Sequence, residues 1–265
     1  MRPLTIITDW HQNDYYLGML KGRLASACPD FNIIDLAHNV PQFSVDRAAF
    51  ILRNCYSSFP EGSIHLVMVN SDANSSSQFL IVEKNSHTFI LPDNGIIGLL
   101  FNAIPENVYG VKLELMGSFS SLECIVSIAK ILQKNLSLDE FGAPVKNFDT
   151  KTMLNATWEE SLIIGNIIYI DSYYNAISNI SLELFNRIGQ GRPFDIYIQS
   201  YHNRVKVIST NYNQVATGEL LALFNSTEFL EIAIRNGFAT QLMNLSIGSE
   251  VKVKFLPFQQ DILIM

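Results

Sequence analysis

Charge is what this sequence has least of. Only 16% of its 265 residues are Asp, Glu, Lys or Arg, against roughly 25% in ordinary soluble domains. A surface so poor in charge calls for another cover, and a homo-oligomer interface is the simplest one. The 18 Lys and Arg are outnumbered by 25 Asp and Glu, a net charge of -7, which excludes the clustered basic face a nucleic-acid binder needs. Three widely spaced cysteines, Cys28, Cys55 and Cys124, make neither a disulfide framework nor a zinc site. No apolar run reaches the about 18 residues that read as a membrane span, and Met1-Arg2-Pro3-Leu4 leads directly into a strand. Neither a P-loop lysine motif nor GxGxxG occurs, and Gly189-Gln190-Gly191 is too short to cradle a phosphate. The expectation is a cytoplasmic oligomer, with neither nucleic acid nor membrane as partner.

What is present reads first as alternating strand and helix. Leu4–Thr8, Asn32–Leu36 and Ile64–Val69 are short apolar, β-branched runs, the last suited to the middle of a parallel sheet. Helical patterns lie between them, over Asp14–Ala27 and after a candidate cap at Ser44, with Val45, Ala48, Ala49, Leu52 and Tyr56 on one face. This order is an α/β signature. A hairpin-like pair, Phe79–Glu83 and Thr88–Leu91, leads to a turn at Pro92-Asp93-Asn94-Gly95. A strand over Val108–Leu115 and a helix with Leu122, Ile125, Val126, Ile128, Ala129 and Leu132 follow, before a stop at Phe141-Gly142-Ala143-Pro144. Lys146–Glu160 reads as a polar linker. Beyond it come short strands at Ile163–Asp171, Asp195–Ile198, Val205–Ile208, Ala222–Phe224 and Val251–Phe255, with short helices expected over Ser181–Arg187 and Glu231–Arg235. That spacing predicts a small barrel or sandwich. Two domains are expected, 1–150 α/β and 151–265 mostly β.

Three segments carry candidate chemistry. In Thr8-Asp9-Trp10-His11-Gln12-Asn13-Asp14, Asp9 falls just past the first strand, where open α/β sheets place ligands. It either caps a turn or helix or accepts the two hydroxyls of a ribose. His11 and Asp14 lie near, but too few oxygen or imidazole groups surround them for a metal site. In Asp171-Ser172-Tyr173-Tyr174-Asn175, a carboxylate, an aromatic face and an amide follow a strand; they suit a purine or simply build an Asx-rich turn. Asn225-Ser226-Thr227-Glu228 is a polar turn whose plainest role is helix capping.

Taken in order, these pieces resemble the S-adenosylmethionine (SAM) hydroxide adenosyltransferases, or SAM hydrolases, whose relatives include the SAM-dependent fluorinase and chlorinase. The resemblance runs from about Leu4 to Phe255. It rests on Ile7-Thr8-Asp9 with Asp14, Ile34-Asp35-Leu36-Ala37-His38, Ser44-Val45-Asp46, Phe59-Pro60-Glu61-Gly62-Ser63-Ile64-His65, Pro92-Asp93-Asn94-Gly95, Asp171 with Asn175, Asn179-Ile180, and Asn225-Ser226 with Leu230-Glu231-Ile232-Ala233. It implies a Rossmann-like N-terminal domain, a smaller β-barrel-like C-terminal domain, and a homotrimer that binds SAM between chains. Carried over by motif, Asp9 would hold the ribose hydroxyls, while Asp14 and Asp171 face the methionine amino group. Asn175 would read adenine with Tyr173 stacking on it, and Asn225 and Ser226 would complete the nucleoside site. Phe43 falls where the halogenases place an aromatic. SAM or adenosine is the implied ligand, with no cofactor or metal.

The sequence departs from the family in the groups that activate water. The hydrolases' Asp–Arg–His set maps onto Asn70, Ser77 and Ser120 (or Met116 in another register). No Arg stands between Arg53 and Arg187, and no His between His87 and His202. Asp72 is a substitute carboxylate or a solvated loop residue. Three readings therefore follow from the resemblance: SAM hydrolysis without the usual triad, a catalytically inactive SAM or adenosine binder, and halide transfer beside Ser118, Ser120 and Ser121.

Overall fold

A computed structural model describes residues 1–71, 78–112, 120–134, 137–141 and 143–257. The described chain forms two compact units, Met1–Met153 and Leu154–Met265.

The first unit opens with β1 (Arg2–Thr8), α1 (Tyr15–Ala27), β2 (Phe31–Ala37), α2 (Val45–Cys55) and β3 (Ile64–Met68). The hairpin β4 (Gln78–Lys84) and β5 (His87–Pro92) follows, then α3 (Ile96–Leu100), β6 (Val108–Lys112) and α4 (Ser120–Gln133). The strands form one mixed sheet in the order β2-β1-β3-β5-β4-β6. β1 pairs in parallel with β2 and β3, and β3 with β5, while β4 runs antiparallel to β5 and β6. The two-residue period of a strand explains the core. Leu4, Ile6, Leu66 and Met68 face α1 and α4, whereas Ile7, Val67 and Val69 face α2 and α3. Leu17, Leu20 and Leu24 supply the buried stripe of α1, the spacing that marks an amphipathic helix. The result is a sheet covered by helices on both faces.

Several expectations change here. Ser44 occupies the cap of α2, but its hydroxyl makes no capping bond. The helix over Leu122–Leu132 ends at Gln133, and a short 3₁₀ turn covers Leu138–Phe141. Of the strand expected over 108–115, the part after Lys112 lies outside the described residues. The polar run after Lys146 is no free linker. Phe148 and Met153 pack on the core, Asp149 N–H donates to Asp93 Oδ1 at 2.7 Å, and Lys151 N–H donates to Gly95 O at 3.0 Å. Isolated apolar residues inside a polar stretch were enough to seat it.

The second unit contains β7 (Thr157–Glu159), β8 (Leu162–Ile170), β9 (Ala176–Ser181), α5 (Leu182–Gly189), β10 (Phe194–Ile198) and β11 (Ser200–Val205). β12 (Leu220–Phe224), β13 (Phe229–Ile234), α6 (Ala239–Leu242) and β14 (Glu250–Phe255) complete it. The order is β11-β10-β14-β8-β9-β13-β12, with β7 beside β8. Every pairing between these strands is antiparallel. A bridge from Ile208 to Ala222 brings the segment after β11 onto β12, so the sheet nearly closes into a barrel. Ile163, Ile167, Ile180, Ile196, Ile232 and Val253 fill it.

Two expectations are corrected in this unit. Glu231–Arg235 is not helical; its first four residues end β13. Phe229–Ile234 pairs with β12 on one side and β9 on the other, and ladder bonds on both edges override any helical preference. The strand expected over Val205–Ile208 is displaced to Ser200–Val205, a polar edge strand that alternation of apolar residues does not mark.

Candidate functional site

Asp9 is the first residue after β1, and three loops meet on its carboxylate. Its Oδ2 accepts the backbone N–H of Phe43 at 3.0 Å and that of Asn70 at 3.1 Å. Its own N–H donates to Met68 O at 3.4 Å. The loops after β1, β2 and β3 are thus gathered at the carboxyl ends of parallel strands, the place where such sheets bind ligands. Both donors have left-handed backbone, φ 65° at Phe43 and 50° at Asn70. Asn tolerates that conformation, whereas a bulky aromatic seldom adopts it. The Phe43 ring stays 67% exposed, so no burial of the ring compensates the strain. Strain of this kind collects at ligand clamps. Asp9 is 8% exposed, and among the described residues no donor reaches its Oδ1. One carboxylate oxygen is fixed by backbone while the other keeps its accepting capacity.

Polar groups behind Asp9 brace this arrangement. Thr8 Oγ1 accepts Trp10 N–H at 3.3 Å and pairs with His38 Nδ1 at 3.0 Å. His38 Nε2 lies 3.1 Å from Asp35 Oδ1, and Lys21 Nζ donates to Asp35 Oδ2 at 2.9 Å. Burial pushes the Asp35 carboxyl up, but the bonds from Lys21 and His38 outweigh it and the net direction is down. Asn94, buried after β5, donates through Nδ2 to Val69 O at 2.9 Å and Asn70 O at 3.3 Å.

Asp14 stands apart from this cluster. Its carboxylate accepts Tyr16 N–H at 3.2 Å and caps α1. Ser120 begins α4. Ser77, Asp72, Met116 and Ser118 lie outside the described residues. Among the described residues, no group of three or more His, Cys, Asp or Glu side chains gathers to hold a metal.

In the second unit, Asp171, Tyr173 and Asn175 share the turn between β8 and β9. Asp171 Oδ1 accepts the N–H groups of Tyr173 at 2.9 Å and Asn175 at 2.8 Å, and Asn175 Nδ2 donates to Asp171 Oδ2 at 3.1 Å. This is an Asx-type turn, and it leaves the Tyr173 ring 75% exposed. Asn225 and Ser226 sit in the turn between β12 and β13. Asn225 Oδ1 accepts Thr227 N–H at 3.0 Å and the Thr227 hydroxyl at 2.7 Å. Its Nδ2 donates to Glu231 Oε2 at 3.1 Å, and Tyr212 donates its hydroxyl to Glu231 Oε1 at 2.7 Å. Burial raises Glu231 above the usual carboxylate range, with the nearby Asp171 charge adding to it, while the Tyr212 and Asn225 bonds act against it. Burial and the Glu231 bond likewise push the Tyr212 phenol up. Asn225 is therefore committed chiefly to building its own turn, and Ser226 sits beside it.

The chain matches the family model for the SAM hydroxide adenosyltransferase N-terminal domain over residues 4–142, and that for its C-terminal domain over 165–252. The chain belongs to the SAM hydroxide adenosyltransferase family. Among its relatives are two proteins named (R)-S-adenosyl-L-methionine hydrolase. That of Methanocaldococcus jannaschii is 24% identical, over 94% of this chain and 95% of its own. That of Thermus thermophilus is also 24% identical, over 96% of this chain and all of its own. An uncharacterized conserved protein from Thermotoga maritima shares the fold with a TM-score of 0.83 at 24% identity, covering 95% of this chain and 99% of that one. A conserved hypothetical protein from Thermus thermophilus does so with a TM-score of 0.74 at 23% identity, covering 97% of this chain and all of that one.

For this SAM hydroxide adenosyltransferase family member, the structure brings Asp9, Phe43 and Asn70 together in one unit and Asp171, Tyr173 and Asn175 together in the other. The roles of Thr8, His38, Asn94, Tyr212 and Glu231 emerge only in the folded chain. The tetrapeptide Pro92-Asp93-Asn94-Gly95 was visible as a turn, but which backbone its amide holds is a tertiary fact. Tyr212 carried no signal at all.

Proposed function

We propose that this protein cleaves SAM with water, giving adenosine and methionine. A water oxygen attacks C5′, the C5′–S bond breaks, its electron pair returns to sulfur as the methionine thioether, and the water's surplus proton leaves to solvent. The observation that carries this reading is the Asp9 carboxylate, with one oxygen held by two backbone donors (the one at Phe43 strained) and the other oxygen open to a ribose diol. Its place at the strand ends and the hydrolase names of the relatives support it. In the second unit, Asp171 offers charge to the cationic amino-acid end, and Tyr173 offers a face to adenine. On this reading the first unit is Rossmann-like and the ligand is served in a homotrimer, as the family resemblance implies.

The nucleophile is the weak point of the machinery. Asn70 stands at the family's Asp position and Ser120 at its His position, and neither an amide nor an alcohol takes a proton near neutral pH. A positioned acid–base group contributes about 10²–10⁴ in rate. Turnover slower than in triad-bearing relatives follows, sustained by proximity and exclusion of bulk water. The same substitutions favour a second reading, a SAM or adenosine binder that does not turn over. Chromatography of SAM incubated with pure protein, with and without chloride or fluoride, decides. Adenosine and methionine in equal amounts support hydrolysis, intact SAM retained on the protein supports the binder, and a 5′-halogenated nucleoside would overturn both.

A further inference from the structure

We infer that Asn94 is a positioning residue for the candidate site, acting on Asp9 through the backbone of Asn70. This rests on Asp9 being the group that binds the nucleoside.

Asn94 is 7% exposed and in the Pro92-Asp93-Asn94-Gly95 turn that ends β5. Its side chain reaches in two directions. Oδ1 accepts the N–H of Ile96, the first residue of α3, at 3.3 Å, while Nδ2 spans the carbonyls of Val69 and Asn70. Those carbonyls flank the point where the chain leaves β3 and turns left-handed at Asn70. The Asn70 N–H is in turn one of the two donors that fix Asp9 Oδ2. Without Asn94, two inward-facing carbonyls lose a buried partner and the Asn70 turn loses the clamp that opposes its relaxation. The peptide that donates to Asp9 would then drift, and Asp9 would keep only the Phe43 donor.

The turn itself is held at the residues on either side of Asn94, which makes Asn94 an effective clamp. Gly95 has φ 92° and lies against Lys151, where a Cβ would come within 2.5 Å of that side chain and 3.1 Å of its backbone nitrogen. Asp93, fully buried, accepts Gln78 Nε2 at 2.6 Å and Asp149 N–H at 2.7 Å. Asn94 therefore transmits a rigid reference from β5 and the 145–151 segment to the loop after β3.

A double-mutant cycle on adenosine binding tests this, with dissociation constants from ligand-observed NMR. Asn94→Ala should weaken adenosine roughly 3- to 10-fold, the loss expected for one buried hydrogen-bonding side chain. In an Asp9→Ala background the same change should cost less than about 2-fold, because coupled residues are non-additive. Asn94→Ser, which keeps a small polar group in the turn, serves if the alanine variant fails to fold. Ile97→Val, a buried change in α3 that removes no hydrogen-bonding group, should destabilise the fold slightly and leave adenosine affinity unchanged. Equal losses in both backgrounds, or unchanged affinity in a folded Asn94 variant, would overturn the inference while leaving Asp9 as the binding group. Unchanged affinity in Asp9→Ala would overturn the inference together with the reading on which it rests.

Discussion

At the scale of single residues, the site is a matter of which oxygen of Asp9 is spoken for. Oδ2 is taken by backbone, so removal of the side chain both deletes the remaining acceptor, Oδ1, and releases the Phe43 and Asn70 loops. Hydrogen bonds to a charged group contribute about 1.5–3 kcal/mol, or roughly 10- to 150-fold in affinity. Asp9→Ala should lose that much adenosine and SAM affinity by calorimetry, with an unchanged constant returning Asp9 to the status of a loop cap. Asn70 allows a second test, because Asp also tolerates left-handed backbone. Asn70→Asp together with Ser77→Arg and Ser120→His should raise the hydrolysis rate, whereas single replacements change little, since such groups act as a unit. Rapid wild-type turnover that ignores changes at these positions would place the nucleophile elsewhere. Asp9 was legible because a carboxylate just past a buried strand is a side-chain signal. The two groups that hold it were not, because Phe43 and Asn70 contribute backbone N–H, which any residue but proline has.

At the scale of elements, legibility followed how local each cause was. α1 was readable as a helical stretch over Asp14–Ala27, but Asp14, which the family resemblance aims at the methionine amino group, is used by the fold as the helix cap. Asp14→Ala should cost about 1 kcal/mol in denaturant unfolding. β13 was misread because its identity lies in the pairing with β9 and β12 rather than in its own composition. The β3–β5 pair hides another tertiary fact, a buried histidine couple. His65 Nδ1 meets Thr5 Oγ1 at 2.8 Å, and His65 Nε2 meets His87 Nδ1 at 3.0 Å, with Tyr56 edge-on to both rings. Burial, then the neighbouring His87, pushes His65 down to about 4, and burial lowers His87 as well, with the Glu61 charge opposing. The folded His65 thus stays neutral down to about 4 while the unfolded chain takes up a proton below about 6.5, and His87 is shifted in the same direction. The His65 contribution is complete above the unfolded value near 6.5 and is lost as pH falls toward 4. A loss on the order of 3 kcal/mol is the upper bound for His65. Melting temperatures measured from pH 7.5 to 4.5 should fall in the wild type and fall less steeply in His65→Gln. Parallel profiles would remove the pair from the account.

At the scale of the whole molecule, the question is what covers a surface with so little charge. The second unit answers in part with an exposed aromatic patch next to the Asp171 turn. Tyr173, Tyr174, Phe238 and Leu242 are 75%, 42%, 52% and 72% exposed. The Tyr174 and Phe238 rings lie edge to face at 5.1 Å, and Thr240 N–H donates to Tyr174 O at 3.0 Å, so the patch is built rather than loose. Contiguous apolar surface of this kind marks an interaction site, and on the proposed reading its position beside Asp171 would join assembly to ligand binding. The family resemblance implies a homotrimer, and light scattering should show one that is stable to dilution, as large apolar interfaces are. Phe238→Ser with Leu242→Ser should shift the protein toward monomer and weaken SAM binding in parallel, while Trp158→Ser, at an exposed position on β7, should do neither. A wild-type monomer at micromolar concentration would sink the trimer, and dissociation without any loss of SAM affinity would show that the ligand needs only one chain.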